Sequence, residues 1–180
     1  DGVVDTTYHV ETGCGVWQMY GRDMKDHNWR KGGYGMLSFA QTLWYSSNIG
    51  VSRIIDDHYR NNPEKFVKGI YRTGLHDDLK IPLMGATPAR IRMPHKNSHG
   101  QYDNWAKTSL PWMSIGYETQ VPPISTLTFY NTIANNGKMM RPRFVSKVMK
   151  NGETIMEFPP EVMRQQIAKE KSIKELQTIL

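Results

Sequence analysis

Helical periodicity begins at Ser38. Leu43, Trp44 and Tyr45 follow a Ser38–Gln41 pair. A serine with glutamine three positions on, ahead of an apolar run, is the capping-box pattern of a helix start. It predicts a helix from Ser38 to about Ser46. Gly50 is expected to break it, with a second helix following through Ser52, Ile54, Ile55 and Tyr59. Asn62-Pro63 supplies an N-cap and a first-turn proline. Phe66, Val67, Ile70 and Tyr71 then keep i, i+4 spacing up to Gly74, where that helix should close.

Elsewhere the pattern changes. Residues 1–37 carry Gly, Asp, Asn and Trp without a long period, and read as extended or looping chain punctuated by Gly32-Gly33. Between Leu79 and Leu110 periodicity is lost among Pro82, Gly85, Pro88, Pro94 and Gly100. Aperiodic stretches of that length inside a domain are uncommon and often functional, so a loop bordering a cleft is expected. Pro122-Pro123 opens another helix through Leu127, Tyr130, Thr132, Ile133 and Ala134, stopped by Asn135-Asn136-Gly137. Its apolar residues lie on several sides, which predicts a central position. Asn151-Gly152 separates two β-type runs and predicts a hairpin with strands near 143–150 and 153–158. Ser172 and Glu175 suggest a second capping box before Leu176, Ile179 and Leu180. The chain stops on an apolar helical face there, as expected of a piece of a longer protein.

Composition narrows the class. The chain has 180 residues, 38% of them hydrophobic, with five Trp, nine Tyr and five Phe. That is enough for one domain with a sizeable core and too aromatic for a disordered chain. Mean hydropathy is −0.59, and no apolar run reaches membrane-spanning length, so the chain as given is expected to be soluble. Cys14 is the sole cysteine. It excludes an intrachain disulfide framework and a cysteine-based zinc site, and it is expected to be a packed thiol. The charge of +6 is scattered over Arg22, Lys25, Arg30, Lys31, Arg141, Arg143, Lys147 and Lys150. Without a block of like charge or a recognition helix, a solvated basic surface is favoured over nucleic-acid binding.

The candidate chemistry centres on Ser46-Ser47-Asn48. A hydroxyl and a carboxamide stand two residues apart where a helical pattern ends. Such a Ser-x-Asn element is the middle of three motifs in serine enzymes acting on penicillin or peptidoglycan peptides. Other candidates are weaker. His95 and His99 have i, i+4 spacing, but Pro94, Asn97, Ser98 and Gly100 argue against a helix there, and no metal site is expected. Asp56-Asp57 reads as a solvated face, and His76-Asp77-Asp78 as a polar turn. No cofactor is expected.

The wider context makes the motif specific. Asp26-His27-Asn28, Gly33-Tyr34-Gly35-Met36 and Ala40-Gln41 lead into Ser46-Ser47-Asn48-Ile49-Gly50-Val51-Ser52. Ser114 to Pro123, Ile133-Ala134-Asn135-Asn136-Gly137-Lys138 and Arg141-Pro142 follow in order. This series resembles the transpeptidase domain of class B penicillin-binding proteins along the whole chain. It is most similar to the division-specific branch of Bacteroides-type bacteria. The resemblance implies the helical lobe of the α+β fold shared with serine β-lactamases, here mainly α with a small antiparallel hairpin. Residues 1–137 would form the lobe, 143–158 the hairpin and 172–180 a terminal helix.

The resemblance also implies a mechanism. A serine of a Ser-x-x-Lys motif attacks the penultimate D-Ala carbonyl of a stem peptide, the terminal D-Ala leaves as its amine, and an amine from a second strand resolves the acyl-enzyme. Ser46 would relay a proton between the catalytic lysine and the leaving amine. Asn48 would hold the substrate amide and that lysine. Ser47 is the variable middle residue, and Tyr117 and Gln120 would line the cleft. Implied partners are peptidoglycan stem peptides, β-lactams and division proteins of the inner membrane. The implied location is the periplasmic face of that membrane, with an N-terminal anchor outside these residues. No nucleic acid or metal is implied.

Two family motifs are missing. The residues three positions after the serines are Gln41, Ile49, Gly50, Ile55, Gln101, Trp112, Tyr117, Thr128, Met149 and Glu175, so no Ser-x-x-Lys exists. Lys-Thr-Gly is absent too. Lys107-Thr108-Ser109 puts a side chain where close backbone approach needs glycine. The 180-residue chain by itself is therefore expected to be inactive. Two other readings stand beside this one: a non-catalytic relative binding cell-wall peptides or division proteins, and a basic module binding polyanions.

Overall fold

A computed structural model describes residues 2–180 of the protein. Ser38 caps helix α1, Phe39–Trp44. Gln41 N donates to Ser38 Oγ at 3.3 Å and Ser38 N to Gln41 Oε1 at 2.8 Å, the reciprocal pair that the sequence signals. Helix α2 runs Asn48–Tyr59 with Ser47 as its N-cap. Gly50 is therefore inside α2 and breaks nothing. A Cβ there would lie 2.5 Å from Thr42 Cγ2, so glycine serves close packing. The break falls instead at Tyr45–Ser47. Helix α3, Pro63–Arg72, starts where Asn62 Oδ1 accepts Lys65 N at 3.2 Å. Gly74, at φ 79°, follows it.

The segment read as extended or looping holds four short strands. β1 (His9–Glu11) pairs antiparallel with β4 (Met36–Ser38). β2 (Val16–Met19) pairs with β3 (Arg22–Lys25) as a hairpin. Its turn, Tyr20-Gly21, has φ 51° and 80°, the left-handed pair of a type I′ turn. Tyrosine is not a signature residue for that turn, so the hairpin left no local signal. Among the described residues the strands form two-stranded sheets and nothing larger.

The chain divides into two compact units. The first comprises residues up to Gly69, Ile91–Thr119 and Thr178–Leu180. Its apolar centre has two clusters. Val10, Leu37 and Ile54 pack with Tyr8, Tyr34 and Phe39. Met19, Met24 and Ile49 pack with Trp17, Trp112 and Ile115. α2 supplies Ile54 to one cluster and Ile49 to the other. Burying each such side chain is worth about 1.5–3 kcal/mol, so α2 is anchored along its length. Short strand β5 (Arg90–Ile91) precedes helix α4, Ser109–Met113, and strand β6 (Thr119–Gln120) follows it.

The second unit comprises Ile70–Arg90 and Gln120–Gln177. Helix α5, Pro123–Ala134, begins with the expected proline. Leu127 and Tyr130 remain about half exposed, so α5 is less enclosed than its apolar pattern suggests. Several of its buried positions carry hydroxyls. Thr128 and Thr132 donate to the carbonyls of Ile124 and Thr128 at 2.8 and 2.7 Å, which lets threonine be buried within a helix. Leu79, Met139, Ile167 and Ile173 form the core with Ile124 and Phe129. β7 (Met139–Met140) pairs with β10 (Val162–Arg164). β8 (Lys147–Lys150) pairs with β9 (Glu153–Glu157) across Asn151-Gly152, whose φ values are 52° and 87°. α6 runs Glu170–Ile179, so Ser172 lies within its first turn and caps nothing; the helix starts two residues earlier.

Candidate functional site

Ser46 occupies the junction between α1 and α2 with φ 49°. A side chain in the left-handed region costs on the order of 1–2 kcal/mol. Such a conformation persists only where surrounding bonds impose it. Here Ser46 N donates to Leu43 O at 3.1 Å and Ser47 N to Thr42 O at 2.9 Å, closing the end of α1. The turn alternates the three side chains of the motif. Ser46 is exposed, Ser47 is 1% exposed and Asn48 is half-buried.

Ser47 is held from two sides. Its Oγ accepts Gly50 N at 2.9 Å as the α2 cap and donates to Asp26 Oδ2 at 2.8 Å. Asp26 Oδ1 accepts Ile49 N at 3.0 Å. The carboxylate thus sits at the N-terminus of α2, where the helix dipole favours negative charge. Asn48 Nδ2 donates to Lys25 O at 2.9 Å. With its amino end committed, the carboxamide's acceptor is Oδ1. Ser46 and Asn48 are therefore brought to one junction, with Asn48 tied by its side chain to the end of β3.

Backbone crossing places Asp26. Asp26 N donates to Gly15 O at 3.0 Å. Gly15 in turn meets the Gly32–Gly35 segment at near-contact, since a Cβ on Gly33 would lie 2.2 Å from Cys14 C and Gly15 N. The glycines that read as punctuation are thus the crossing point beneath the site. Cys14 itself is exposed and not the packed thiol expected.

A second group beside the junction has no periodic signal in the sequence, although His27 and Tyr34 lie in segments that carry the family resemblance. Tyr34 and Tyr45 stack with centroids 5.0 Å apart at 9°. The Tyr34 hydroxyl lies 3.1 Å from His27 Nε2. Burial, then the Asp26 carboxylate and Tyr45, push the Tyr34 phenol up from its ordinary value. Tyr45 immediately precedes Ser46, so this aromatic group flanks the exposed hydroxyl. The spacing 27, 34, 45 follows no period, and only the fold assembles it.

The remaining candidates resolve individually. Tyr117 is 63% exposed in the turn after α4, and Gln120 is exposed in β6. His95 Nδ1 lies 3.0 Å from Asp103 Oδ1, and neither His95 nor His99 is helical. Ser109 of the rejected Lys107-Thr108-Ser109 triplet is buried, accepts Ala106 N at 3.2 Å and donates to Glu118. Asp56 is a correction to the solvated reading. It is 6% exposed and accepts the Tyr20 hydroxyl at 2.9 and 3.1 Å. Burial raises its carboxyl above the ordinary value, against the Tyr20 bond and Arg60. The bond ties the β2–β3 turn to α2. A groove of about 320 Å³ runs along α5, lined by residues between Ile124 and Pro142, so it does not contain the Ser46 junction.

The family model described as the penicillin binding protein transpeptidase domain matches residues 1–180. A crystal structure of a peptidoglycan glycosyltransferase from Burkholderia ambifaria superposes with TM-score 0.73 at 24% identity, covering 98% of this chain and 48% of that one. The apo transpeptidase domain of Burkholderia pseudomallei penicillin-binding protein 3 gives TM-score 0.72 at 24% identity, covering 98% and 46%. At that identity these two carry the fold alone. The chain spans about half the length of each. No curated protein sequence matches it.

Proposed function

The chain belongs to the penicillin-binding protein transpeptidase domain family, and from that premise we propose that it forms the Ser-x-Asn part of a serine D,D-transpeptidase cross-linking peptidoglycan stem peptides in septal wall synthesis. The nucleophilic serine and its lysine come from other residues of a longer protein. Ser46 passes a proton between that lysine and the leaving amine. Asn48, through Oδ1, accepts from the lysine or the substrate amide and holds both in register. Tyr117 and Gln120 line the cleft. The ligands are stem peptides and β-lactams. The longer protein is anchored at the periplasmic face of the inner membrane and works with division proteins there, in the manner of the division-specific enzymes of Bacteroides-type bacteria.

One observation supports this reading most directly. The left-handed turn exposes Ser46 and fixes the Asn48 carboxamide while sealing Ser47 between them. The exposed hydroxyl and the held carboxamide thus stand on one turn with the middle serine buried, which is the alternation the Ser-x-Asn roles require.

Acylation by a fluorescent penicillin, read after denaturing electrophoresis, tests it in the intact protein. Asn48→Ala is expected to slow labelling about 100- to 1000-fold, as loss of one preorganised polar contact does in acyl transfer. Ser46→Ala is expected to slow it about 100-fold or more through the lost relay. The 180-residue chain alone should take no label. Labelling of the Asn48→Ala protein at the normal rate would make that asparagine structural, and a label on the chain alone would mean that it carries an unrecognised nucleophile.

A further inference from the structure

Asp26 is 1% exposed, and both of its oxygens are spent on the residues flanking Asn48. Oδ2 takes the Ser47 hydroxyl and Oδ1 takes the Ile49 amide. The preceding residue, Lys25, takes the Asn48 side chain through its carbonyl. Three consecutive residues, Ser47, Asn48 and Ile49, are therefore bonded to Lys25 at the end of β3 and to Asp26 just after it. A buried carboxylate is costly unless it is paired or fully hydrogen-bonded. A cap at α2 needs only the Ser47 hydroxyl, which the Gly50 amide already uses. The carboxylate adds something a cap does not: it fixes the distance between β3 and the first turn of α2, and so where Asn48 and Ser46 point.

We propose that Asp26 is the positioning residue for acyl transfer, holding the Ser46–Asn48 turn in its reactive geometry without touching substrate. This rests on the roles given above to Ser46 and Asn48. The carboxylate does not meet substrate, because it is buried and both of its oxygens are bonded to Ser47 and Ile49. Asparagine at this position keeps the size but not the bonding. Its oxygen can serve Ile49 N–H, but its NH₂ group then faces the Ser47 hydroxyl, which must turn its proton elsewhere. The turn is then free to shift by a fraction of an ångström. Misplacement of about 1 Å in such a site costs roughly 100-fold in rate.

The test is a double-mutant cycle in the intact protein, following acylation by a fluorescent penicillin with thermal unfolding recorded for each variant. Asp26→Asn is expected to slow acylation by roughly 10- to 100-fold. In the Asn48→Ala background the same change should slow it less than about threefold further, because residues acting as one unit are non-additive. A merely structural aspartate would multiply its effect independently of Asn48. Should Asp26→Asn fail to fold, Ser47→Ala removes one of the two bonds and is expected to follow the same non-additive pattern more weakly. Wild-type acylation in Asp26→Asn, or full additivity with Asn48→Ala, overturns the proposal. If Ser46→Ala and Asn48→Ala both acylate normally, the functional reading fails first, and the two failures are told apart.

Discussion

The Ser46 junction and the Asn151 hairpin each turn the chain through a left-handed residue that is not glycine, at φ 49° and 52°. They do so for opposite reasons. Asn151-Gly152 is made of residues that tolerate positive φ, and the strands it joins are exposed along their whole length. Local chemistry suffices there. Serine has no comparable preference, and the Ser46 turn is imposed by the closing bonds of α1, the Ser47 cap and a buried carboxylate 21 residues upstream of Ser47. A turn that its own residues favour needs no support. A turn imposed against preference can present a side chain in one fixed direction, which is what a reacting site requires.

If that contrast is right, the most damaging substitutions lie beneath the junction and not in it. Gly33→Ala should be the worst, because its methyl would meet backbone atoms at 2.2 Å and its φ is 73°. We expect a loss of about 3 kcal/mol or more, beyond the usual range for overpacking, measured by denaturant unfolding. Stability within about 0.5 kcal/mol of wild type would mean that the glycine crossing does not support the site. Gly50→Ala comes next. Its methyl meets Thr42 side-chain atoms at 2.5 and 3.0 Å. These can yield, so about 1–3 kcal/mol is expected; a pairing with Thr42→Ser should recover part of it.

The hairpin should respond less and only locally. Asn151→Ala places a residue without asparagine's left-handed tolerance at φ 52° and should cost on the order of 1–2 kcal/mol. Amide exchange should rise in Lys147–Glu157 and stay unchanged around α2. Faster exchange at Ile49 or Gly50 would contradict the local character of that turn. Ser46→Gly sharpens the comparison from the other side. It relieves the left-handed cost while adding about 0.5–1 kcal/mol of backbone entropy, so stability should hold or rise slightly while acylation of the intact protein falls. A large loss of stability would mean that the Ser46 side chain is structural.

The smallest effect is a pH slope. The Asp56 carboxyl is raised in the folded state by burial. Stability linked to it is therefore greatest below the unfolded carboxyl value of about 3.9 and declines as pH rises towards the raised folded value. Asp56→Asn should flatten that part of the stability-versus-pH curve and leave the rest unchanged. An unaltered slope would mean that Asp56 carries no proton linkage.

Local chemistry accounts for what could be read along the chain. The Ser38–Gln41 capping box, the Asn62 cap before Pro63, the proline start of α5 and the Asn151-Gly152 turn all depend on residues within four positions of each other, and all are present. The Ser-x-Asn motif was legible for the same reason: it is three consecutive residues. The β2–β3 hairpin was not, because its turn is led by a tyrosine that the Asp56 bond draws onto α2. Gly50 was misplaced because a glycine needed for contact with Thr42 looks the same in sequence as one that ends a helix. Asp26, the Gly15–Gly33 crossing and the stacked Tyr34 and Tyr45 have no local period at all. Local preferences act over a few residues, and the sequence therefore determined where helices begin, where the hairpin turns and which motif is present. A buried charge or a close backbone crossing needs partners brought together from distant positions. Tertiary structure alone decided which of three adjacent side chains faces out, and what holds it there.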